Sequence, residues 1–341
     1  MTDSKKLPFV SVIAPLYNAH DDLPGLLDCL AAQTYPRDRL EFRLVDNNSQ
    51  DDTFALLQGA ITRFQDLGFT LIPLQELEIQ SSYAARNRGI QTARGQIFAF
   101  LDGDCRPEPD WLIELVQPFL SDTSKTIGMV AGEIKALPGS SLIERYSERQ
   151  DILSQKHTLA SDFLPYGQTA NLAVRRWIFK RFGLFRSYLT TGGDADICWR
   201  MQQRSPKQTI VLAPKAIVRH RHRATIAEFR SQFRRYGKSN RCLHDLHGIP
   251  LMEPWSSRDY VVRPLRWLLK ETPIALAKRL LGRAPWQDLD LELWGTPLEL
   301  LGMRSRYAGQ QSSQLPERAR DIPPCPETWL PPQDKAPSKQ S

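Results

Sequence analysis

IFAFLDGDC, residues 97–105, runs from five uncharged side chains directly into two carboxylates that flank a glycine. Ile97 to Leu101 carries no polar residue, the pattern of a strand buried on both faces. A parallel strand that stops at Asp102-Gly103-Asp104 sets paired acids at the carboxyl edge of a sheet, where open α/β sheets bind ligands. Two acids so close repel each other unless a cation lies between them. Oxygen ligands of this kind suit Mg²⁺ or Mn²⁺ shared with a diphosphate. Gly103 lets the backbone turn and lets a bulky ligand approach. A solvated Asp-Gly turn is the alternative this stretch alone leaves open.

Upstream, strand and helix patterns alternate. FVSVIAP (9–15), EFRLV (41–45) and FTLIP (69–73) are β-rich apolar runs. Between them Leu23, Leu26, Leu27 and Leu30 fall at helical spacing after Asp21-Asp22, and a second helix starts at Asp51-Asp52-Thr53. Ser81-Ser82 caps a third helix that carries Ala84 to Arg88, just before the 97–105 strand. This alternation predicts a doubly wound parallel sheet. Downstream, Asp110 to Leu120 reads as a helix, IGMVAGEI as a strand and LIERYSERQDILSQKH as a helix. LAVRR after Asn171 is a strand or strand–helix junction, and TIVLAPKAIV (209–218) a last strand.

Three further groups bear on chemistry. Asp46 also ends a strand and would face the same crevice, able to accept from a ribose or base; a helix cap or Asx-turn is the structural alternative. In TTGGDADICWR (190–200) two glycines precede Asp194 at a helix start. That setting stabilises an ionised carboxylate and suits a general base meeting a hydroxyl, though simple N-capping accounts for it too. His220 could be a metal or pyrophosphate ligand or a structural histidine. Neither GxGxxG nor GxxxxGK[ST] occurs, so a dinucleotide or P-loop site is unsupported.

The 341 residues allow one large or two modest domains, and 41% hydrophobic with 24% charged residues is ordinary for a globular chain. A net charge of +7 and a pI near 9.2 favour anionic partners. Five scattered cysteines with no CxxC pair point to reduced thiols and a cytoplasmic setting. No signal-peptide h-region opens MTDSKKLPFVSVIAP, and no apolar run approaches the roughly 18 residues of a membrane span.

After the last strand the composition shifts. Arg219 to Arg241 holds eight Lys/Arg and one acid, Glu228. Ile226, Phe229, Phe233 and Tyr236 share a helical face there, and residues 263–282 again mix Trp and Leu with Lys and Arg. Such basic amphipathic stretches either lie on an anionic membrane or pack their apolar faces on the main domain. From Gln310 the chain is polar and proline-rich and is expected to be largely disordered.

Taken together, VSVIAPLYN (10–18), VDNNSQDDT (45–53), AARNRGI (84–90), FLDGD (100–104), ANLAVRR (170–176), GLF (183–185) and GGDADICWR (192–200) resemble a family 2 glycosyltransferase of GT-A fold over roughly residues 8–223. The resemblance implies a Rossmann-like mixed sheet flanked by helices in a catalytic domain, 1–223, followed by a basic helical extension, 224–309, and the tail, 310–341. It implies an inverting transfer from a nucleotide-diphosphate sugar, of UDP or GDP type, to a glycan or lipid-linked acceptor, with Mn²⁺ or Mg²⁺ as cofactor. Pro15, Tyr17, Asn18, Asp46, Arg86, Asp102 and Asp104 would bind the donor. Asp104, Asp102 and His220 would hold the metal, Asp104 most closely. Asp194 would be the base, and Asn171, Gly193, Asp196 and Arg200 would shape the acceptor side. Many members have Glu-Asp where this chain has Gly193-Asp194, so the base position is kept and a neighbouring acid is missing.

The resemblance implies a role in cell-surface polysaccharide or glycolipid synthesis; the cysteines and the basic stretches lead us to expect it in the cytoplasm or peripherally on the inner face of the membrane. A sugar-phosphate nucleotidyltransferase shares such a sheet, but opens with a glycine-rich basic loop where Pro15-Leu16-Tyr17-Asn18 stands here. A non-catalytic basic membrane-binding protein on the same scaffold is the other alternative. No aromatic–basic nucleic-acid motif occurs, and no nucleic-acid partner is expected.

Overall fold

The computed structural model describes residues 7–283, 285–326 and Trp329. The chain begins β1 (Val10–Leu16), α1 (Leu23–Ala31), β2 (Leu40–Asp46), α2 (Thr53–Asp66), β3 (Thr70–Gln75), α3 (Ser82–Thr92) and β4 (Ile97–Leu101). Then follow β5 (Cys105–Pro107), α4 (Trp111–Ser121), β6 (Ile127–Ala136), α5 (Leu142–Arg149), α6 (Gln155–Leu159), β7 (Asn171–Arg175), α7 (Arg176–Phe182), α8 (Gly193–Arg204) and β8 (Thr209–His220). It ends with α9 (Ile226–His247), α10 (Ser257–Arg266), α11 (Thr272–Leu280) and α12 (Leu289–Gln311). These divide into two compact units: residues up to Glu133, Gln155–Val218 and the chain from Glu317; and Ile134–Ser154 with Arg219–Pro316.

The first unit carries the sheet, in the order β3-β2-β1-β4-β7-β6-β8-β5. β3, β2, β1 and β4 run parallel, whereas β7 is antiparallel to β4 and to β6. The sheet is therefore mixed and flanked by helices. Its strand order reverses between β1 and β4, because the chain winds from β1 out to β3 and returns to the other side of β1. Ligands bind open α/β sheets at such a switch point, outside the carboxyl ends of the strands.

All five residues of β4 are buried, as an uncharged central strand requires. Phe98 and Phe100 pack on Phe179 of α7 with ring centroids 5.8 and 6.0 Å apart, and Phe100 meets Phe185 edge-on at 5.4 Å. Each such buried ring contributes about 2–3 kcal/mol of transfer free energy, which holds β4 firmly in the sheet. Register carries that rigidity to the site. Leu16 is opposite Asp46, and Leu101, the residue before Asp102, is opposite Asn171. An antiparallel β7 begins where parallel β4 ends, and that adds the Thr169–Asn171 turn to the same edge.

The second unit is helical where it leaves the sheet. α9 and α12 cross so closely that a Cβ on Gly237 would stand 1.8 Å from the Arg306 carbonyl oxygen, and one on Gly309 2.1 Å from that of Arg234. Only glycine permits that approach. Phe229 of α9 is fully buried with Tyr146, Leu291 and Leu298. Residues 134–154, which look like continuing sheet and connecting helix in the sequence, thus belong partly with the C-terminal helices. The stretch from 310, expected as a largely disordered tail, makes contacts with the first unit at a few described residues. Leu184 N–H donates to Pro323 O at 2.9 Å, and the Trp329 ring lies 5.7 Å from Phe98, all within the first unit. Prolines prevent a regular ladder there without preventing packing. The rest of that tail, 327, 328 and 330–341, lies outside the described residues. No described helix is long and apolar enough to cross a membrane.

Candidate active site

The loops after β1, β2 and β3 are laced together at the carboxyl edge. Asn18, held at a positive φ of 46°, accepts from Gln50 N–H at 2.8 Å and donates its own N–H to Ser49 Oγ at 2.9 Å. Asn47 N–H donates to Leu16 O at 2.7 Å, and its amide donates to Glu76 O and Ile79 O at 3.0 and 2.9 Å. Asp46 is almost fully buried in this lacing, accepting from Ser49 N–H at 3.3 Å and Gln75 Nε2 at 3.4 Å. Asp46 thus also closes its own loop, through the N–H three residues on. Tyr17, by contrast, is 53% exposed beside it. β1 separates β2 from β4, so the ends bearing Asp46 and Asp102 are about 10 Å apart, two strand spacings.

The other half of the site is organised by α3. Ser81 caps it, accepting from Tyr83 N–H at 3.2 Å. Asn87 ties it to the chain ahead of α8, its amide donating to Phe185 O at 2.8 Å while its oxygen accepts from Phe185 N–H at 3.0 Å. So anchored, α3 presents two side chains to two acids. Arg86, almost fully buried, pairs through Nη2 with Asp102 Oδ1 at 2.5 Å. Tyr83, three residues earlier on the same face, donates its hydroxyl to Asp194 Oδ1 at 3.1 Å. The Arg86 guanidinium carbon lies 5.4 Å from the Tyr83 ring centroid, and Tyr83 stacks on Phe185 at 5.6 Å.

Asp194 sits in the first turn of α8, behind Gly192 at a positive φ of 80°. Its second oxygen accepts from Thr169 N–H at 3.4 Å, two residues before β7. Burial pushes its carboxyl above the usual range, against the pull of the nearby Arg86 charge and of hydrogen bonds from its own N–H, Tyr83 and Thr169. A carboxylate raised this way is a better proton acceptor at neutral pH than an exposed one. Burial also holds the Tyr83 phenol well above its ordinary value, with the Asp194 charge reinforcing it, so it stays a donor. Gly193 is explained by the same tyrosine: a Cβ there would stand 2.8 to 2.9 Å from the ring.

Three expected acceptor-side residues lie behind this surface. Asn171 is fully buried; it accepts from Trp111 Nε1 at 2.7 Å and donates to Glu133 O and Ala216 O, both at 2.9 Å. Asp196 is fully buried between Arg186 Nε at 3.0 Å and Arg200 Nε at 2.9 Å. Arg200 goes on to the carbonyls of Phe182 and Leu184, the latter at 2.8 Å, and Arg186 to that of Arg320. Burial lowers the Arg200 pKa although Asp196 opposes this. This cluster fixes the start of α8, and with it Asp194, to the 182–186 turn. His220 closes β8 in the second unit, buried, with Nδ1 2.7 Å from Arg221 O. Tyr83 and Asn87 were not foreseen as site residues. The readable signal for Tyr83 was an aromatic at i−3 from Arg86; for Asn87 there was none beyond the AARN run itself.

A switch-point sheet thus carries a strand-end Asp-Gly-Asp, and a part-buried acid stands at a glycine-led helix start. Residues 11–183 match the family described as Glycosyl transferase family 2, and the chain belongs to that family of enzymes. Glycosyltransferase AglE of Haloferax volcanii is 34% identical over 230 residues, covering 67% of this chain and 72% of the relative. The pre-mycofactocin glycosyltransferase of Mycobacterium tuberculosis is 28% identical over 161 residues, which span 46% of this chain and a third (33%) of that protein. Among solved structures, a mannosyltransferase of Pyrobaculum calidifontis in complex with GDP-Man and Mn²⁺ superposes with a TM-score of 0.55 at 19% identity, over 91% of this chain and 87% of that one. The likeness establishes a shared GT-A fold.

Proposed function

We propose that this enzyme moves a sugar from a UDP- or GDP-linked donor to a hydroxyl of a glycan or lipid-linked acceptor, inverting the anomeric carbon, in polysaccharide or glycolipid synthesis on the cytoplasmic side. The observation that carries the reading is α3: one short helix face engages both the strand-end acid Asp102 and the raised acid Asp194. On this reading the acids divide into a diphosphate side and a proton-accepting side, as transfer requires. Hydrolysis by two carboxylates flanking one bond would need a different layout.

The donor set fits a divalent cation. Asp102 and Asp104 are part-exposed oxygen ligands at a strand end, which suits Mg²⁺ or Mn²⁺ better than softer metals. Asp104 and Asp102 would hold it, and when bound it would neutralise charge on the departing diphosphate. Arg86, paired with Asp102 through Nη2, would line the diphosphate side. Tyr17, Pro15, Asn18 and Asp46 would seat the nucleoside. Asp194 takes the proton of the acceptor hydroxyl as that oxygen bonds the anomeric carbon and the carbon–phosphate oxygen bond breaks, releasing nucleoside diphosphate. Asn171, Asp196 and Arg200 we assign to holding this surface from behind.

The test is a panel of UDP- and GDP-sugars incubated with the enzyme and Mn²⁺, reading released nucleoside diphosphate with and without hydroxyl acceptors. Release from one donor class, abolished by chelation, is expected. No release from any donor overturns the reading.

A further inference from the structure

Two basic amphipathic stretches follow the sheet, and the structure treats them differently. α9 buries most of its apolar face: Phe229 is fully buried and the Phe233 ring packs against it, tilted, at 4.5 Å, under α12. α10, the π-helical turn Trp267–Glu271 and α11 do the opposite. Of the seventeen exposed large hydrophobic side chains among the described residues, twelve lie between Tyr260 and Trp294. Val261, Leu265, Leu268 and Leu269 follow helical spacing, and Leu276 and Leu280 continue it, with Leu269 71% and Leu280 77% exposed.

The other side of this segment is well held. Trp267 Nε1 donates to Leu293 O at 2.6 Å, Thr296 donates to Glu271 at 2.8 Å, and Arg279, buried, pairs with Glu292 at 3.1 Å. The apolar face is therefore a surface of a docked element. Residues 256–283 hold seven Lys/Arg against Asp259 and Glu271; Arg263, Arg266 and Arg279 pair with Glu299, Glu271 and Glu292, and the other four carry the positive charge of the face. Arg258, Lys270, Lys278 and Arg283 are exposed among the leucines, and Trp286 and Trp294 are exposed beyond them.

We propose that the α10–α11 face is an interfacial anchor that seats on an anionic lipid bilayer. Leucines and valines enter the boundary of headgroups and acyl chains, Trp286 and Trp294 sit at headgroup level, and the Lys/Arg rim meets lipid phosphates. The occupant follows from that pairing of chemistries. A contiguous apolar patch calls for cover, and a ring of like charge around it repels a second copy of itself while attracting an anionic surface. The helices lie on the bilayer, since none described is long and apolar enough to span it. This proposal is independent of which sugar is moved.

Flotation of the full chain tests it, with phosphatidylcholine vesicles alone and with phosphatidylglycerol added. The chain should float with the anionic vesicles at low salt and be mostly released at high salt. The Leu269→Asp/Leu280→Asp variant should partition at least about tenfold less, since two large apolar groups no longer leave water, with an unchanged circular dichroism spectrum and melting curve. A Lys270→Glu/Lys278→Glu variant should lose the preference for anionic over neutral vesicles. A native chain that stays at the bottom with anionic vesicles overturns the proposal, and so does equal flotation of the leucine variant. Dimerisation in gel filtration that the leucine variant abolishes, without flotation, would make the face a contact between copies and overturn it equally.

Discussion

The Tyr83 phenol donates to Asp194 at 3.1 Å while its ring fills the space in which a side chain on residue 193 would begin. The tyrosine and the glycine are two parts of one solution. Where the resemblance describes Glu-Asp, this chain has a glycine before Asp194, and the Tyr83 ring packs against it. The Tyr83 hydroxyl also lowers the Asp194 pKa, partly offsetting what burial raises.

Removing that hydroxyl should therefore move the titration and leave the fold. In Tyr83→Phe the acid limb of the kcat/KM profile should shift to higher pH, by about half a unit to one unit for one hydrogen bond of about 1 kcal/mol. Nucleotide affinity should be unchanged. An unshifted limb means that Asp194 is not the titrating base.

Gly193→Ala should cost transfer activity, because the new Cβ must displace the Tyr83 ring or the first turn of α8. In a Tyr83→Leu background the same substitution should cost less. A double-mutant cycle on kcat/KM should give a coupling of about 1–2 kcal/mol, the range for residues in contact. Simple additivity would show that the glycine is required for another reason.

Asp194→Asn separates chemistry from binding. Transfer should fall by about a hundredfold or more, as for loss of a general base, while calorimetry of UDP or GDP with Mn²⁺ is unchanged. It should also stabilise the protein. The folded pKa of Asp194 is raised, so the folded state binds more protons than the unfolded one between the ordinary carboxylate value and the raised one. Stability linked to this group is then full at low pH and lost as pH rises through that window. A neutral side chain carries no such loss, so the variant should melt above the native enzyme at neutral pH, and the difference should vanish near pH 3. Equal melting at both pH values would show that burial does not strain this carboxylate.

What could be read without coordinates follows the range of the interactions. IFAFLDGDC was legible because its signal is local: five apolar residues need burial on two faces, and the acids that follow mark the edge. Asp194 was legible because glycines and an acid at a helix start form a local pattern. Asp196 and Arg200 sit in the same run and were expected beside the acceptor. Their burial depends on Arg186 and on carbonyls at 182 and 184, and only their i,i+4 spacing hinted at a pair. Residues 134–154 joined the C-terminal helices because Tyr146 and Ile143 meet Leu291 and Phe229, contacts far apart in the chain that no periodicity encodes.

The arginine pair around Asp196 yields the last expectation. Both carboxylate oxygens are buried and each is bound by a guanidinium. Asp196→Ala leaves two buried charges without their counter-ion, which costs about 3–5 kcal/mol. Because the cluster fixes the first turn of α8, the loss should spread to Asp194. Chemical denaturation should show that destabilisation, and residual activity should fall through kcat, with little change in the KM for acceptor. A residue that touched the acceptor would behave in the reverse way, with near-native stability and a raised acceptor KM. That pattern would return Asp196 to the binding surface.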